Sequence, residues 1–239
     1  MNNFKRYSVL ALMVLLPICF YGQEPKDVVS IIEKTTNFYE NTSVYSVAIK
    51  QSLFRGKTGA KVYESYNGSF VKNQGYSKLV MLNSEVIQFP GVSLIIDNDS
   101  KAIEYSKTPR GPAAPIDIKG FLEYYKGEEL QSNEKQWICE LNVLPAASFV
   151  PCDKIVLYIN KEHYFVDKQV LFLNRELPFK TDGGQTEQDF GRFEIIFTHD
   201  LTVSNAKKDK QSNYIRKKGN TIVPAEKYKE FKIVDLSNN

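Results

Sequence analysis

The stretch "GYSKLVMLNSEVIQFPGVSLIIDN", residues 75–98, sets short apolar runs between turn-forming residues. It divides at "LNSE" and at "FPG" into three strand-length runs, and "SKAIEYS" adds a fourth run after the turn "DNDS". Because parallel neighbours need a crossover of about a dozen residues, connections this short join antiparallel strands. The stretch therefore predicts an antiparallel meander with much apolar surface to cover.

The segments on either side predict more strands and two helices. "PKDVVSIIEKTTNFYEN" (25–41) repeats apolar residues at steps of three and four, which is typical of an amphipathic helix. "SVYSVAIKQSLFR" and "AKVYESYNGSFVKN" alternate like the arms of a long hairpin. After a Pro-rich break, "IKGFLEYYKGEEL" indicates a short helix, and strands resume in "KQWICELNVL", "KIVLYINKEHYFVDKQVLFLN" and "GRFEIIFTHDLTVS". We interpret residues 175–190 as a long mobile loop, and the fold class as mainly β (α+β).

The first 23 residues differ from the rest of the chain. A basic start with Lys5 and Arg6 precedes a short apolar run, and Gly22 supplies a small residue near a cleavage point. This order predicts a cleaved secretory signal peptide, because the run is too short to span a bilayer. The alternatives are an uncleaved anchor or buried helix, and a lipid-modified Cys19, which however follows the bulky Ile18. We expect export to the periplasm of a Gram-negative envelope.

The chain divides into three parts by this interpretation. They are the signal peptide (1–23), one antiparallel domain (24–205) and a basic C-terminal extension (206–239), packed on that domain or trailing from it. The sequence has 31 Lys and Arg against 28 Asp and Glu, so removal of Lys5 and Arg6 leaves 29 (31 − 2) against 28. A net charge of +1 argues against a nucleic-acid partner.

Two cysteines, Cys139 and Cys152, remain after the predicted cleavage. In an exported protein such a pair forms a disulfide or stays as two buried reduced thiols. Sequence alone does not supply the Cβ geometry that a bridge requires, so both possibilities remain open. No CxxC motif and no Cys/His cluster is present, and we expect no metal site.

The sequence offers little catalytic chemistry. Its two histidines are His163, in a predicted hairpin turn, and His199, near the end of a predicted strand. Neither lies in a Ser or Cys nucleophile motif. There is no Walker loop and no GxGxxG sequence. We therefore expect no enzyme, no catalytic residue and no cofactor; a cluster of acids with either histidine in a cleft would revive an enzyme.

The two helices have to hide the apolar face of a twisted sheet of about ten strands. Either side chains fill the concavity completely, or an apolar cavity remains that takes a lipid or another hydrophobic ligand. The residues predicted to line such a cavity come from three strands and the first helix, and the alternative makes each of them an ordinary core residue. They are Ile32, Phe38, Tyr45, Val47, Ile49, Leu79, Met81, Leu94 and Ile96.

The order of elements resembles the LolA family of periplasmic lipoprotein carriers. The resemblance covers roughly residues 25–205 and concerns the order of the elements. That order is an export signal, an amphipathic helix, the hairpin ending in "GSFVKNQGYSKLVM", the strand pair around "GVSLIIDNDSKAIEYS", a helical break, and the later strands. It implies a half-open antiparallel β-barrel closed by the N-terminal and internal helices, with an apolar cavity that shields lipoprotein acyl chains.

The sequence departs from the family pattern at two places. The family carries an aromatic residue followed by Arg-Pro, and the Arg contacts the helical lid; here Phe70 matches the aromatic but Lys72, Asn73 and Gln74 stand where Arg-Pro is expected. The family's Asp-Gly turn and Trp are replaced by "DNDSKAIEY". The first departure leaves open how this chain would hold its helix.

Two functions from different classes follow. The first is a monomeric carrier for lipoprotein or lipid acyl chains on their way to the outer membrane, with inner- and outer-membrane transfer proteins as partners. The alternative is a non-catalytic envelope sensor or accessory subunit of a secretion or surface-assembly machine, which would use residues 175–190 and the basic extension as contacts.

Overall fold

The computed structural model describes residues 27–202, 206–219 and 221–237. The predicted signal peptide, with Cys19, lies outside the described residues. Within these ranges no helix is long and apolar enough to cross a membrane.

Two α-helices accompany the strands. Helix α1, Val28–Asn41, begins after Asp27, whose carboxylate accepts an amide hydrogen bond at 2.8 Å. Helix α2, Ile118–Tyr124, begins after Asp117, whose carboxylate does the same at 3.0 Å. The buried side chains of α1 recur at steps of three and four and form one apolar face: Val28, Ile31, Ile32, Thr35 and Tyr39.

Fourteen strands lie in the described part of the chain. They are β1 Val44–Arg55, β2 Val62–Asn73, β3 Tyr76–Met81, β4 Ser84–Phe89, β5 Val92–Asp97, β6 Ala102–Ser106, β7 Tyr125–Ser132, β8 Gln136–Val143, β9 Cys152–Asn160, β10 Val166–Lys180, β11 Thr186–Asp200, β12 Ile215–Lys218, β13 Thr221–Pro224 and β14 Lys232–Asp235. Twelve of them form one sheet, and β12 pairs only with β13.

The large sheet has the order β14-β6-β5-β4-β3-β2-β1-β11-β10-β9-β8-β7. Its neighbours are antiparallel except for β14, which runs parallel to β6. The run from β2 to β6 is a meander in chain order, as the opening stretch predicts. The two end strands, β7 and β14, are not paired with each other, so the sheet is curled but open. The predicted fold class, a half-open antiparallel barrel with two helices, is confirmed.

The sheet is covered on two faces by different parts of the chain. The inner face packs against α1 and α2 in the main core cluster, which includes Ile32, Val47 and Phe70. The outer face of β3–β6 packs against the C-terminal segment in a second cluster, where Leu94 and Ile103 meet Tyr214. Because both faces of β3–β6 are covered, these strands carry apolar residues on both sides.

A cluster of charged and hydroxyl groups also fastens the C-terminal segment to the outer face. Lys78 Nζ lies 2.9 Å from a Glu85 oxygen, 3.1 Å from an Asp209 oxygen and 2.9 Å from the Tyr214 hydroxyl. Burial by itself would lower the pKa of Lys78, but these three partners raise it above its ordinary value. Asp209 and Tyr214 of the C-terminal segment are thus held against β3.

Two sequence predictions about local structure were wrong. Residues 175–190 do not form a long loop, because β10 runs to Lys180 and β11 starts at Thr186. Phe179 is buried there, and the centroid of its ring lies 4.8 Å from that of Tyr63. The "YKGEEL" segment is not helical, because α2 ends at Tyr124 and β7 follows immediately. In both places pairing with the next strand of the chain overrides the local pattern.

The possible disulfide between Cys139 and Cys152 is also not formed, and both cysteines are free and buried. Cys139 on β8 lies opposite Leu157 on β9, five positions from Cys152. At about 3.3 Å per residue this separates the two cysteines by roughly 16 Å, far beyond the reach of a disulfide. Burial raises the pKa of Cys139 to about 12 and that of Cys152 to about 11.

Candidate functional site

The segment between β6 and α2, residues 107–117, crosses the inner face of the meander and is called the strap below. It is tied down by polar side chains that lie side by side on neighbouring strands. Ser77, Gln88 and Ser93 are register partners on β3, β4 and β5. Their side chains bond the strap backbone: Ser77 Oγ donates to the Pro112 carbonyl at 2.8 Å, and Ser93 Oγ accepts from the Arg110 amide at 2.8 Å.

Close contact between the strap and β4 depends on a glycine. A Cβ placed on Gly111 would lie 2.5 Å from Gln88 Cβ, far inside van der Waals contact. The Gly111 amide instead faces Gln88 Oε1 at 3.3 Å. The polar row and this glycine therefore hold the strap at one fixed height above the sheet.

A groove of about 540 Å³ lies between the strap, helix α1 and strand β3. Its lining is the second half of α1, one leucine of β3, and the end of the strap with the start of α2. The lining residues are Thr36, Tyr39, Glu40, Leu79, Pro112, Ala113, Ala114, Pro115, Ile116, Asp117, Ile118 and Lys119. The charged members, Glu40, Asp117 and Lys119, are exposed and form the rim. The arrangement is an apolar slot with a charged mouth, which can take an aliphatic chain.

The α1 wall of the groove is fixed to the sheet through Tyr39. Its hydroxyl accepts a hydrogen bond from the Val166 amide at 3.1 Å and lies 3.0 Å from His199 Nε2. This second hydrogen bond can run in either direction, according to the tautomer of His199, because the hydroxyl can donate one proton and accept two. Tyr39 therefore latches α1 to both β10 and β11.

The surroundings of His199 favour the neutral ring. Phe165 stacks on it with ring centroids 4.1 Å apart, and the rings of Phe38 and Tyr45 lie 6.5 Å away. Burial among these rings lowers the pKa of His199 from 6.5 to about 4. Burial likewise raises the pKa of Tyr39 above its ordinary value, so the hydroxyl stays protonated.

Lys72 holds the end of the same wall. Its ammonium donates to the carbonyls of Tyr39 at 2.5 Å and of Glu40 at 3.4 Å, both in the last turn of α1. A cation at a helix C-terminus is favourable because the unpaired carbonyls there carry partial negative charge. Burial lowers the pKa of Lys72, and the Glu40 carboxylate opposes that change. Lys72 thus contacts the helix from the position where an arginine is expected in the pattern of the LolA family.

The structure distributes the nine predicted cavity residues over three environments. Ile32, Tyr45, Val47 and Ile49 are buried in the main core, with exposed fractions of 0–3%. Phe38, Leu79 and Met81 are partly buried against that core. Of the nine, Leu79 also lines the groove.

Leu94 and Ile96 have to be removed from the cavity set. Both are fully buried, but in the second cluster under the C-terminal segment. Register shows why: Leu79 faces Val86, and Val86 faces Ile95, so Ile95 is the residue of β5 on the inner face. The run Leu94-Ile95-Ile96 is apolar on both faces, so its pattern does not reveal which side meets α1.

The strap and the α1 residues Thr36, Tyr39 and Glu40 are the parts of the groove that the sequence did not predict. The available signal was "PAAP" (112–115), in which two alanines between prolines leave room that larger side chains would fill. Tyr39 was visible on the apolar face of the predicted helix, but its partner His199 is 160 residues away.

The other histidine does not join this site. His163 is exposed in the turn between β9 and β10, 3.7 Å from the Glu162 carboxylate. Among the described residues, no group of three or more His, Cys, Asp or Glu side chains is arranged to hold a metal ion.

The protein is thus a half-open barrel with an apolar groove between the strap, helix α1 and strand β3. No protein-family model matches the chain, and no curated protein matches it. Similar solved structures include a LolA superfamily protein from Nitrosomonas europaea, at 11% identity over 77% of this chain and 99% of that chain, with a TM-score of 0.31.

Two further solved structures are similar to the chain. An uncharacterized conserved protein from Thermus thermophilus is 9% identical over 87% of this chain and 98% of that chain, with a TM-score of 0.41. The Mycobacterium tuberculosis lipoprotein LppX is 8% identical over 71% and 92%, with a TM-score of 0.32.

Proposed function

We propose that this chain is a non-catalytic carrier that shields acyl chains, of a lipoprotein or another lipid, during transfer toward the outer membrane. The observation that carries the proposal is the groove of about 540 Å³, which has an apolar lining and a charged rim. Its size falls in the range of about 300–1,000 Å³ typical of small-ligand sites. An aliphatic chain in the slot would be covered by the strap, α1 and Leu79.

The binding energy would come from the hydrophobic effect. Each buried methylene contributes about 0.8 kcal/mol, so one long chain gives a useful affinity that remains reversible after ordering costs are subtracted. Reversibility suits a carrier, because cargo has to be released at the receiving membrane. The polar head would stay in water at the rim formed by Glu40, Asp117 and Lys119.

The cellular setting of the proposal comes from the sequence. The segment 1–23 directs the chain to the periplasm of a Gram-negative envelope, where a monomer would exchange cargo with transfer proteins of the inner and outer membranes. No covalent chemistry is needed, and the proposal assigns none.

Native mass spectrometry with lipid extraction tests this function on the exported chain, purified from its own envelope without detergent. Ala114→Phe would fill the groove, since Ala114 lines it and is only partly buried. Ala146→Phe is the matched control, because Ala146 is exposed in the turn between β8 and β9 and does not line the groove. Leu79→Gln replaces Ala114→Phe if that variant fails to fold.

Bound acyl species in the wild type and in Ala146→Phe, but not in a folded groove variant, would support the carrier. An unliganded mass in all forms, with no uptake of added palmitic acid or lipopeptide, would overturn it. The alternative of an envelope sensor or assembly subunit would then be the better account.

A further inference from the structure

The structure assigns the groove to a single aliphatic chain. We propose that the cargo is a single-chain amphiphile, such as a fatty acid or a lysophospholipid, and that a lipid anchor with three acyl chains is rejected. This inference rests on the proposed carrier function and specifies its cargo class. Three features carry it: the groove volume, the filled core beside it, and the fixed walls.

The volume of the groove suits one chain. A methylene group takes about the same space as one water molecule in the liquid, about 30 Å³. The groove of about 540 Å³ therefore holds about 18 such groups. That number corresponds to one common membrane acyl chain.

The space next to the groove is already filled by the protein. Between α1 and the sheet, side chains from both sides exclude solvent: Ile31, Ile32 and Thr35 of α1 are 0–1% exposed. Opposite them, Val47, Ile49 and Phe70 are 0–3% exposed. Interiors packed in this way have native density, so additional chains could enter only by separating α1 from the sheet.

The walls of the groove resist such a separation. Tyr39 ties α1 to His199 and to the Val166 amide, and Lys72 binds the helix end. Lys34 adds a contact from the middle of α1 to the Tyr164 hydroxyl at 3.3 Å. Opening α1 for a three-chain anchor would break all of these contacts together and expose the apolar face of the helix.

The rim favours a small polar head that remains in solvent. Glu40, Asp117 and Lys119 surround the mouth, and all three are exposed. Such a rim hydrates a head group without enclosing it. The specificity of the site therefore comes from the number and length of the aliphatic chains.

The experiment measures displacement of a fluorescent fatty acid from the full exported chain. The competitors are saturated fatty acids of increasing length, palmitoyl lysophosphatidylglycerol, dipalmitoyl phosphatidylglycerol and a tripalmitoyl lipopeptide. Affinity is expected to rise about fourfold per added methylene, the equivalent of about 0.8 kcal/mol, and to level off near 18 carbons. The tripalmitoyl lipopeptide should bind at least tenfold more weakly than the lysolipid.

A second measurement links the length limit to the groove. Ile116 lines the groove and is 9% exposed, so Ile116→Ala should lengthen the slot and move the levelling point toward longer chains by about two or three carbons. A folded Ile116→Ala protein with the wild-type length limit would contradict the assignment.

The outcomes separate this inference from the function on which it rests. Equal or tighter binding of the tripalmitoyl lipopeptide would overturn the single-chain assignment and leave the carrier function standing. Failure of every amphiphile to displace the probe, or of the probe itself to bind, would overturn both. Preference for single chains with a length limit near 18 carbons would support both.

Discussion

The latch between Tyr39 and His199 predicts a specific dependence of stability on pH. His199 is neutral in the folded chain because Phe165, Phe38 and Tyr45 bury its ring, and its pKa falls from 6.5 to about 4. Below pH 6.5 the unfolded chain therefore binds a proton that the folded chain does not. The free energy of unfolding is therefore unaffected by this residue above pH 6.5 and decreases progressively as the pH falls toward 4.

The magnitude follows from the two pKa values. A difference of one pKa unit corresponds to 1.36 kcal/mol, so lowering the pH from 7.5 to about 4.5 should reduce the free energy of unfolding by about 2–3 kcal/mol through this residue alone. For a chain of this size the loss amounts to about 5–10 °C in the melting temperature.

The assay is urea unfolding at a series of pH values, followed by circular dichroism. His199→Gln keeps a side chain that can accept from Tyr39 but does not titrate, so it should lose about 2–3 kcal/mol less than the wild type over this interval. His163→Gln is the matched control, since it makes the same change at a side chain that is 43% exposed. Carboxylates titrate in all three proteins, and their effect cancels in the comparison.

The test compares how steeply the free energy of unfolding changes with pH in each protein, so differences in absolute stability between the variants do not matter. If His199→Gln and the wild type lose stability in parallel between pH 7.5 and 4.5, His199 is not buried as a neutral ring, and the latch is refuted. Equal flattening by His163→Gln would also refute it, because the effect would then not belong to the buried site.

Three other predictions concern the helix, the sheet and the thiols. Lys72→Met removes a charged donor from the end of α1 and should cost about 1.5 kcal/mol in urea unfolding; an unchanged midpoint would show that this contact is not formed. Gly127→Ala places a Cβ 2.7 Å from a side-chain carbon of α1 and should cost about 1–3 kcal/mol, whereas Gly183→Ala, with no close neighbour, should be neutral. Alkylation of the unfolded, non-reduced chain should modify both Cys139 and Cys152, and a disulfide-linked peptide in the digest would contradict the register of β8 and β9.

Local periodicity was sufficient to predict most of the elements. The meander around residues 75–98 follows from short apolar runs and turn residues, and α1 follows from apolar steps of three and four, because both patterns act over a few neighbouring residues. The same reasoning failed at residues 175–190, where β10 and β11 extend each other by pairing. These residues are mostly polar, so the strands are held there by backbone pairing, which the side-chain pattern does not reveal.

By itself, then, the sequence determined the strand order of the meander, the amphipathic helix and the apolar character of the interior. Only the tertiary structure decided which side of each strand faces α1, because strand alternation does not say what will cover either face. Leu94 lies on the outer face, where the C-terminal segment covers it. The groove likewise arises from the strap, α1 and β3, three segments whose contacts depend on the whole chain being folded.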